Sequence, residues 1–491
     1  MTTADDARDS TPDETADVPW GAVVVGGGVA GLVAARELVD AGVRTLVVEG
    51  RDAVGGAVRG HTVAGLTLDA GAESFATRGG TVAAYLEELG IAGLVVAPSG
   101  LGSWVHLPSG DGPLPRTGLL GIPSRPWAAD VRRTLGLLGA ARASLDLILP
   151  TRVGAGETTL GGLVRARMGA RVVDRLVRPV VGGVHAADPD ELAVDAVSPG
   201  LPAALRSSRS LARAVRSLRA AAPAGSAVQG LDGGVRVLVD TLAAQVGERG
   251  GQIRTRTRAT SVTAGTDGPG GPVVVGLSDG TSVRTERLVV AAPQGLPLLA
   301  ALLPGLDDVT LDDGADVRLV TLVLDAPALD AAPRGTGVLV GRDATDVQAK
   351  ALTHATAKWP WLARQAGPGR HVVRLSYGRG DAADEAAGGS AGPGGLGGPE
   401  LVAQALADAS VLLGVPLTAD QVTASAVVRW TQALPRPSAR HRDAVASVRA
   451  ALGSAAARDV RVAACGAWLA GNGLASVIPD AVTAARSVLE P

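Results

Sequence analysis

Val23-Val24-Val25-Gly26-Gly27-Gly28-Val29-Ala30-Gly31, followed further on by Val47-Val48-Glu49, decides how this 491-residue chain is read. Three β-branched residues in a row predict a buried strand, and the glycines that follow predict a tight turn. The apolar spacing over 32–41 predicts a helix, after which a second strand ends at Glu49. In a nucleotide-binding turn Gly26 would bend the chain and Gly28 would let backbone N–H groups approach a pyrophosphate. Gly31 would let the helix pack on the strand with its positive end toward the phosphates. Gly27 and Ala30 complete the loop. Glu49 lies 23 residues after Gly26, the offset at which a carboxylate accepts hydrogen bonds from ribose hydroxyls. A bare Gly-x-Gly-x-x-Gly means little in a chain with 67 glycines, but the strand, helix and carboxylate around this one predict a dinucleotide cofactor.

The next segment, Gly50-Arg51-Asp52-Ala53-Val54-Gly55-Gly56-Ala57-Val58-Arg59, bears on which dinucleotide. Gly55 and Gly56 would let the chain pass close beneath a flavin, and Arg59 would neutralise pyrophosphate charge or fix the flavin's polar edge. In this the segment resembles the FAD-binding amine-oxidase and porphyrinogen-oxidase superfamily.

Composition narrows the function classes. The chain is 46% hydrophobic, enough for two or three cores, and its net charge of −2 gives no basic field for a nucleic-acid partner. A single cysteine, Cys465, excludes an intramolecular disulfide and a cysteine metal site and fits a reducing, cytoplasmic compartment. Six acids against one Arg8 in residues 1–19 predict a disordered acidic tail. The longest apolar stretch, 288–306, is broken by Pro293, Pro297 and Pro304, so a buried strand and a short helix are expected there, with no membrane span. Any contact with a membrane would be peripheral.

Along the chain, Leu68-Asp69-Ala70-Gly71-Ala72-Glu73-Ser74-Phe75 reads as a strand whose small residues would meet a flavin ring through backbone groups. Helical spacing dominates 81–89, 126–149 and 159–184. Strands return at 252–262, 273–277 and 288–292 after a helix at 235–248. Alternating strands at 317–324, 337–340 and 371–377 predict an antiparallel sheet over the flavin. A glycine-rich stretch, 380–399, reads as a flexible loop. The final strand–glycine–helix unit runs from 460, with its helix expected from Pro479.

Several separated segments match one family. Gly71-Ala72-Glu73-Ser74-Phe75-Ala76-Thr77-Arg78, Gly121-Ile122-Pro123-Ser124, the run 165–190, Gly230 to Gly234, Lys358-Trp359-Pro360, Arg429-Trp430 and Val477-Ile478-Pro479-Asp480 closely resemble the oxygen-dependent porphyrinogen oxidases of the bacterial type without a membrane span. The resemblance implies an α/β fold: a two-dinucleotide-binding-type FAD domain with a doubly wound sheet (20–95, 226–300, 455–491), a helical insertion (96–225) and an antiparallel-sheet substrate domain (301–454). It implies FAD held by Gly26, Gly28, Gly31, Glu49, Gly71 to Ser74 and the backbone of Ala259, with Trp430 and the turn Ser476-Val477-Ile478 at the flavin end. It also implies a porphyrinogen and O2 as reactants, six-electron oxidation with release of three H2O2, a place in haem biosynthesis, and a downstream ferrochelatase as candidate partner. Arg78, Arg178, Arg334, Lys350 and Lys358 are expected to border the substrate pocket, with Gly183 and His185. Asp69 and Glu73 are each expected either to touch flavin or to pair with a nearby arginine. No strong base is needed, because a pyrrole N–H turns acidic once a bridge has lost hydride, so no catalytic residue is assigned. Coproporphyrinogen III is the favoured substrate, with protoporphyrinogen IX the alternative, and a non-catalytic flavoprotein or porphyrin-delivery protein the alternative of another class.

The sequence also departs from the family pattern. Ala53 stands where the family often has arginine, Gly79 where many relatives have lysine, and Pro435-Arg436-Pro437 where the family has Pro-Gln-Tyr.

Overall fold

The computed structural model describes residues 19–490 except 78, 116–117, 186–187, 199, 221–227, 266–270, 312–315, 379–397, 432–438 and 457–460. The expected acidic tail before Pro19, Arg78, the segment Pro435-Arg436-Pro437 and nearly all of the expected loop 380–399 lie outside the described residues.

Five strands form one wholly parallel sheet in the spatial order Gln252–Arg254, Thr45–Val48, Ala22–Val25, Leu288–Val290, Val462–Ala464. The fingerprint strand is central, and it and Thr45–Val48 are buried at every position, as a parallel sheet covered on both faces requires. One face is covered by the helices Val29–Asp40, Arg236–Glu248 and Leu474–Ser487. The other packs on a small antiparallel sheet, the helix Leu296–Leu302 and, through Val448 and Ala455, the helix Ala439–Ala456. Parallel strands bring their C-terminal ends to one side, so the ends of three separated stretches of chain converge there. Gly466, after the last strand, accordingly lies against Ala291 and Ala30.

A second sheet has seven strands in the order Val422–Trp430, Val317–Asp325, Arg370–Tyr377, Ala351–His354, Gly337–Val340, Trp104–His106, Gly112–Pro113. All its pairs are antiparallel except Gly337–Val340 with Trp104–His106. One face packs on the helix Gly398–Leu413, and the other on Leu66, Leu68, Trp359 and Trp361. Trp104–His106 and Gly112–Pro113 fall inside the stretch read as helical insertion. They are too short to show alternation, and the longer of them pairs with a partner more than two hundred residues away.

Helices between residues 129 and 220 enclose a third core around Leu135, Leu163 and Leu176. The helical spacing over 159–184 resolves into Leu160–Met168, a break at Gly169, a π turn at Val173–Val177, and Arg178–His185. Inside this core the wholly buried Arg167 donates from Nε to Asp146 Oδ1 at 2.5 Å, and Asp146 also accepts from Ser210 Oγ, Leu211 N and Ala212 N. The final helix starts at Leu474, five residues before the expected Pro479. Burial of Leu474, Val477 and Ile478 against the fingerprint helix outweighs the one N–H that Pro479 cannot donate. Among the described residues no helix is long and apolar enough to cross a membrane.

Candidate cofactor and substrate site

The glycine turn is built as the sequence suggests. A Cβ on Gly31 would lie 1.8 Å from the Gly26 carbonyl oxygen, so only glycine lets the fingerprint helix sit this close to its strand. Gly28 is the N-cap of that twelve-residue helix, and no side chain caps it. Its first-turn N–H groups and positive dipole end therefore suit a bound phosphate. The Gly55-Gly56 turn runs alongside, with Gly55 N–H donating to Gly27 O at 2.7 Å. Glu49 lies at the lip of this cradle: its Oε2 accepts from Gly27 N at 2.8 Å and its Oε1 from Arg51 N at 2.8 Å. Thr257 N–H donates to Glu49 O, Arg256 N–H donates to Arg51 O, and the Arg258 side chain covers Gly50. The backbone leading into Ala259 thus runs beside the carboxylate end of the second strand.

Where the two sheets meet, Gly71 has no room for a side chain: a Cβ would fall 2.1 Å from Ala57 O and 3.1 Å from the Trp430 ring. Ala72 N–H donates to Ala57 O at 2.9 Å, and half-buried Ser74 precedes the short strand Phe75–Ala76. Trp430 is buried, donates from its indole N–H to Ala70 O at 3.2 Å, and has the Arg59 and Arg51 guanidinium carbons 5.0 and 5.4 Å from its ring centroid.

Glu73 pairs with a lysine and an arginine. Its carboxylate accepts from Lys358 Nζ at 2.6 Å and from Arg374 Nη1 at 3.0 Å, while Arg374 Nη2 donates to Gly71 O at 2.7 Å. Burial would raise the Glu73 pKa, but the two cations hold it below the usual carboxylate range. Arg374 escaped the sequence reading. Its one trace is a charge inside the apolar run His371-Val372-Val373-Arg374-Leu375, which demands a partner without naming it. Beside it, burial and then the charges of Arg374 and Arg59 push His61 down to about 4. His61 Nε2 and Arg374 Nε are buried without a hydrogen-bond partner. Asp69 also serves a role the sequence did not assign. It accepts from Val235 N and Arg236 N at the start of the helix Arg236–Glu248, and burial, opposed by those two bonds, raises it to about 6. Asp480 likewise accepts from Gly466 N at 2.9 Å.

The other expected substrate-side residues are dispersed. Arg334 is paired with Asp111 at 2.6 Å and lies over the Trp104 ring. Trp104 belongs to the sixth strand counted from the one carrying Trp430, five inter-strand spacings or about 24 Å away. Arg178 is paired with Asp188 and, at 3.0 Å, with Asp190. Lys350 donates to Gly378 O at 2.9 Å. Gly183 and His185 lie on the helix Arg178–His185, but their surroundings are outside the described residues. On the final helix Val477 and Ile478 are core residues, and Ser476 is half-buried in the first turn beside Gly473. A cavity of about 360 Å³ bordered by Trp104, Leu114, Arg133 and Pro333 lies at the far edge of the seven-stranded sheet and includes none of the expected site residues.

The profile of the flavin containing amine oxidoreductase family matches residues 29–488, and the chain belongs to that family. It is a flavin oxidoreductase with a mixed α/β fold of the amine-oxidase type. Among curated proteins it is 28% identical to the coproporphyrinogen III oxidase of Propionibacterium freudenreichii subsp. freudenreichii, over 95% of this chain and 90% of that protein. It is 30% identical to the enzyme of the same name from Mycobacterium leprae, over 87% and 90%. Among solved structures, an Exiguobacterium sp. protein whose name assigns it to the protoporphyrinogen oxidases superposes with a TM-score of 0.77 at 24% identity, over 96% of this chain and 99% of that one. Reduced UDP-galactopyranose mutase superposes with a TM-score of 0.64 at 14% identity, over 96% of both chains.

Proposed function

We propose that this protein is an FAD-dependent oxidase in the cytoplasm that converts coproporphyrinogen III to coproporphyrin III with O2, in haem biosynthesis. The observation that carries this reading is the match with coproporphyrinogen III oxidases along 95% of the chain. The residues present fit the cofactor. The uncapped helix and the Gly26–Gly28 backbone would hold the pyrophosphate, Glu49 the ribose, and the backbone at 257–259 the adenine. Gly71 to Ser74 and Trp430 would border the ring, with the Glu73–Lys358–Arg374 cluster behind them carrying one net positive charge. When bound, FAD supplies the two-electron acceptor, used three times per porphyrin with one H2O2 released each time. No residue is assigned the role of base, since the pyrrole proton leaves readily. The product is of the class a ferrochelatase takes up.

The test is anaerobic preparation of both porphyrinogens and comparison of kcat/KM on admission of O2. A higher kcat/KM for coproporphyrinogen III is expected, and an equal or higher value for protoporphyrinogen IX would reverse the substrate choice. Porphyrinogen-dependent peroxide from neither would leave a non-catalytic flavoprotein.

A further inference from the structure

The cluster at Glu73 is unbalanced in charge. Its single carboxylate is shared by Lys358, at the end of the helix Ala355–Lys358, and by Arg374, on the strand Arg370–Tyr377. Neither cation meets a second acid among the described residues, and the three side chains are only 9–18% exposed. Tying one sheet to the other requires one cation for one carboxylate. A second cation withdrawn from water without its own counter-charge is costly, and Arg374 Nε is buried with no hydrogen-bond partner as well. Both features indicate a negatively charged group that completes the cluster.

The neighbouring ionisable groups do not cancel the excess. His61, beside Arg374, is neutral at any pH above about 4. Asp69 has its oxygens taken by Val235 N and Arg236 N, at the positive end of the helix Arg236–Glu248. Arg59, 5.0 Å from the Trp430 ring centroid, adds another cation, so that with Arg59 and Asp69 included one net positive charge remains. That charge lies one peptide behind the cradle wall. Arg374 Nη2 donates to Gly71 O at 2.7 Å, Ala72 N–H donates to Ala57 O, and the preceding Gly55-Gly56 turn is bonded to Gly27. A flavin that takes up two electrons and one proton gains one negative charge, and fixed cations in a site sheltered from water favour the state in which that charge is present.

We propose that Lys358 and Arg374 act across the Gly71 peptide to favour the reduced, anionic form of the bound flavin, and that Glu73 sets the size of this effect by cancelling one of the two charges. The inference rests on the reading that Gly71 to Ser74 border the ring. The flavin-loaded protein is brought to equilibrium with a reference dye without oxygen or porphyrinogen, and absorbance gives the equilibrium constant for passing two electrons from reduced dye to flavin. K358M removes a cation and should lower this constant roughly tenfold, whereas E73Q removes the anion and should raise it by a similar factor. K358R keeps the charge and should match the parent. A purely structural cluster would lower the melting temperature of K358M and E73Q alike and leave the constants unchanged. Unchanged constants overturn the proposal, as does a shift of K358M and E73Q in the same direction. If K358M is isolated without flavin, E73Q decides: a constant at or below the parent's overturns the proposal. A parent protein without flavin would instead overturn the reading of the site itself.

Discussion

The parallel five-stranded sheet and the seven-stranded sheet meet at Gly71, and they bring different kinds of group to the junction. The parallel sheet is apolar on both faces and offers the site its strand ends, glycine turns and helix N-terminus: backbone, plus the single carboxylate of Glu49. The other sheet offers side chains, with Arg374 from its third strand and Trp430 from its edge, joined by Lys358 from the helix after Ala351–His354. Backbone groups hold a ligand common to the whole family, whereas side chains can be exchanged as the substrate changes. The two regions should therefore fail differently when altered.

The largest effect is expected at the backbone cradle. Glu49→Arg removes the acceptor for Gly27 and Arg51 N–H and sets a cation among donors, so the purified variant should be colourless. Stoichiometric flavin in its visible spectrum would place the ribose partner elsewhere. Next comes a buried carboxylate remote from both sheets. Asp146→Ala strands the wholly buried Arg167 and should cost about 3–5 kcal/mol in chemical denaturation. Glu73→Gln leaves Lys358 and Arg374 without a counter-charge but keeps the cradle. It should lose about 2 kcal/mol of stability and still bind flavin, and a flavin-free product would erase the proposed division of labour.

A smaller effect concerns pH. His61 is held neutral down to about 4 against an ordinary 6.5, so the unfolded chain binds its proton first and stability is lost as pH falls between those values. Asp69 acts in the opposite sense: with its folded pKa raised to about 6, stability falls as pH rises from about 4 to 6. The informative measurement is thus the difference between parent and His61→Gln melting curves, which should narrow on acidification from 6.5 to 4. A gap that is constant across pH would show that His61 does not titrate as its surroundings imply. Smallest of all, Cys465 is fully buried and its thiol pKa is pushed up, so it should resist thiol reagents until unfolding, and acid precipitation should release all the flavin. Flavin remaining on the precipitate would contradict this.

How legible each region was follows from the distance over which it is specified. The fingerprint turn, its helix and Glu49 lie within one β–α–β unit, where periodicity and offset are local and read directly. The strand read over 317–324 is long enough to show its own patterning, whereas Trp430 came only with the family resemblance. Trp104–His106 carries too few residues to do so, and Arg334, expected at the pocket rim, is held at that far edge by Asp111 and Trp104.

By itself the sequence determined the glycine turn with Gly31 and Glu49, because these depend on neighbours within about one supersecondary unit, and it showed the family through motifs spread along the chain. The tertiary structure alone decided which cation neutralises which carboxylate. Glu73 meets Lys358 and Arg374 across 285 and 301 residues, and Asp69 caps a helix 166 residues away. A buried charge must find a partner, but which partner is fixed only when distant elements pack and exclude water around the pair.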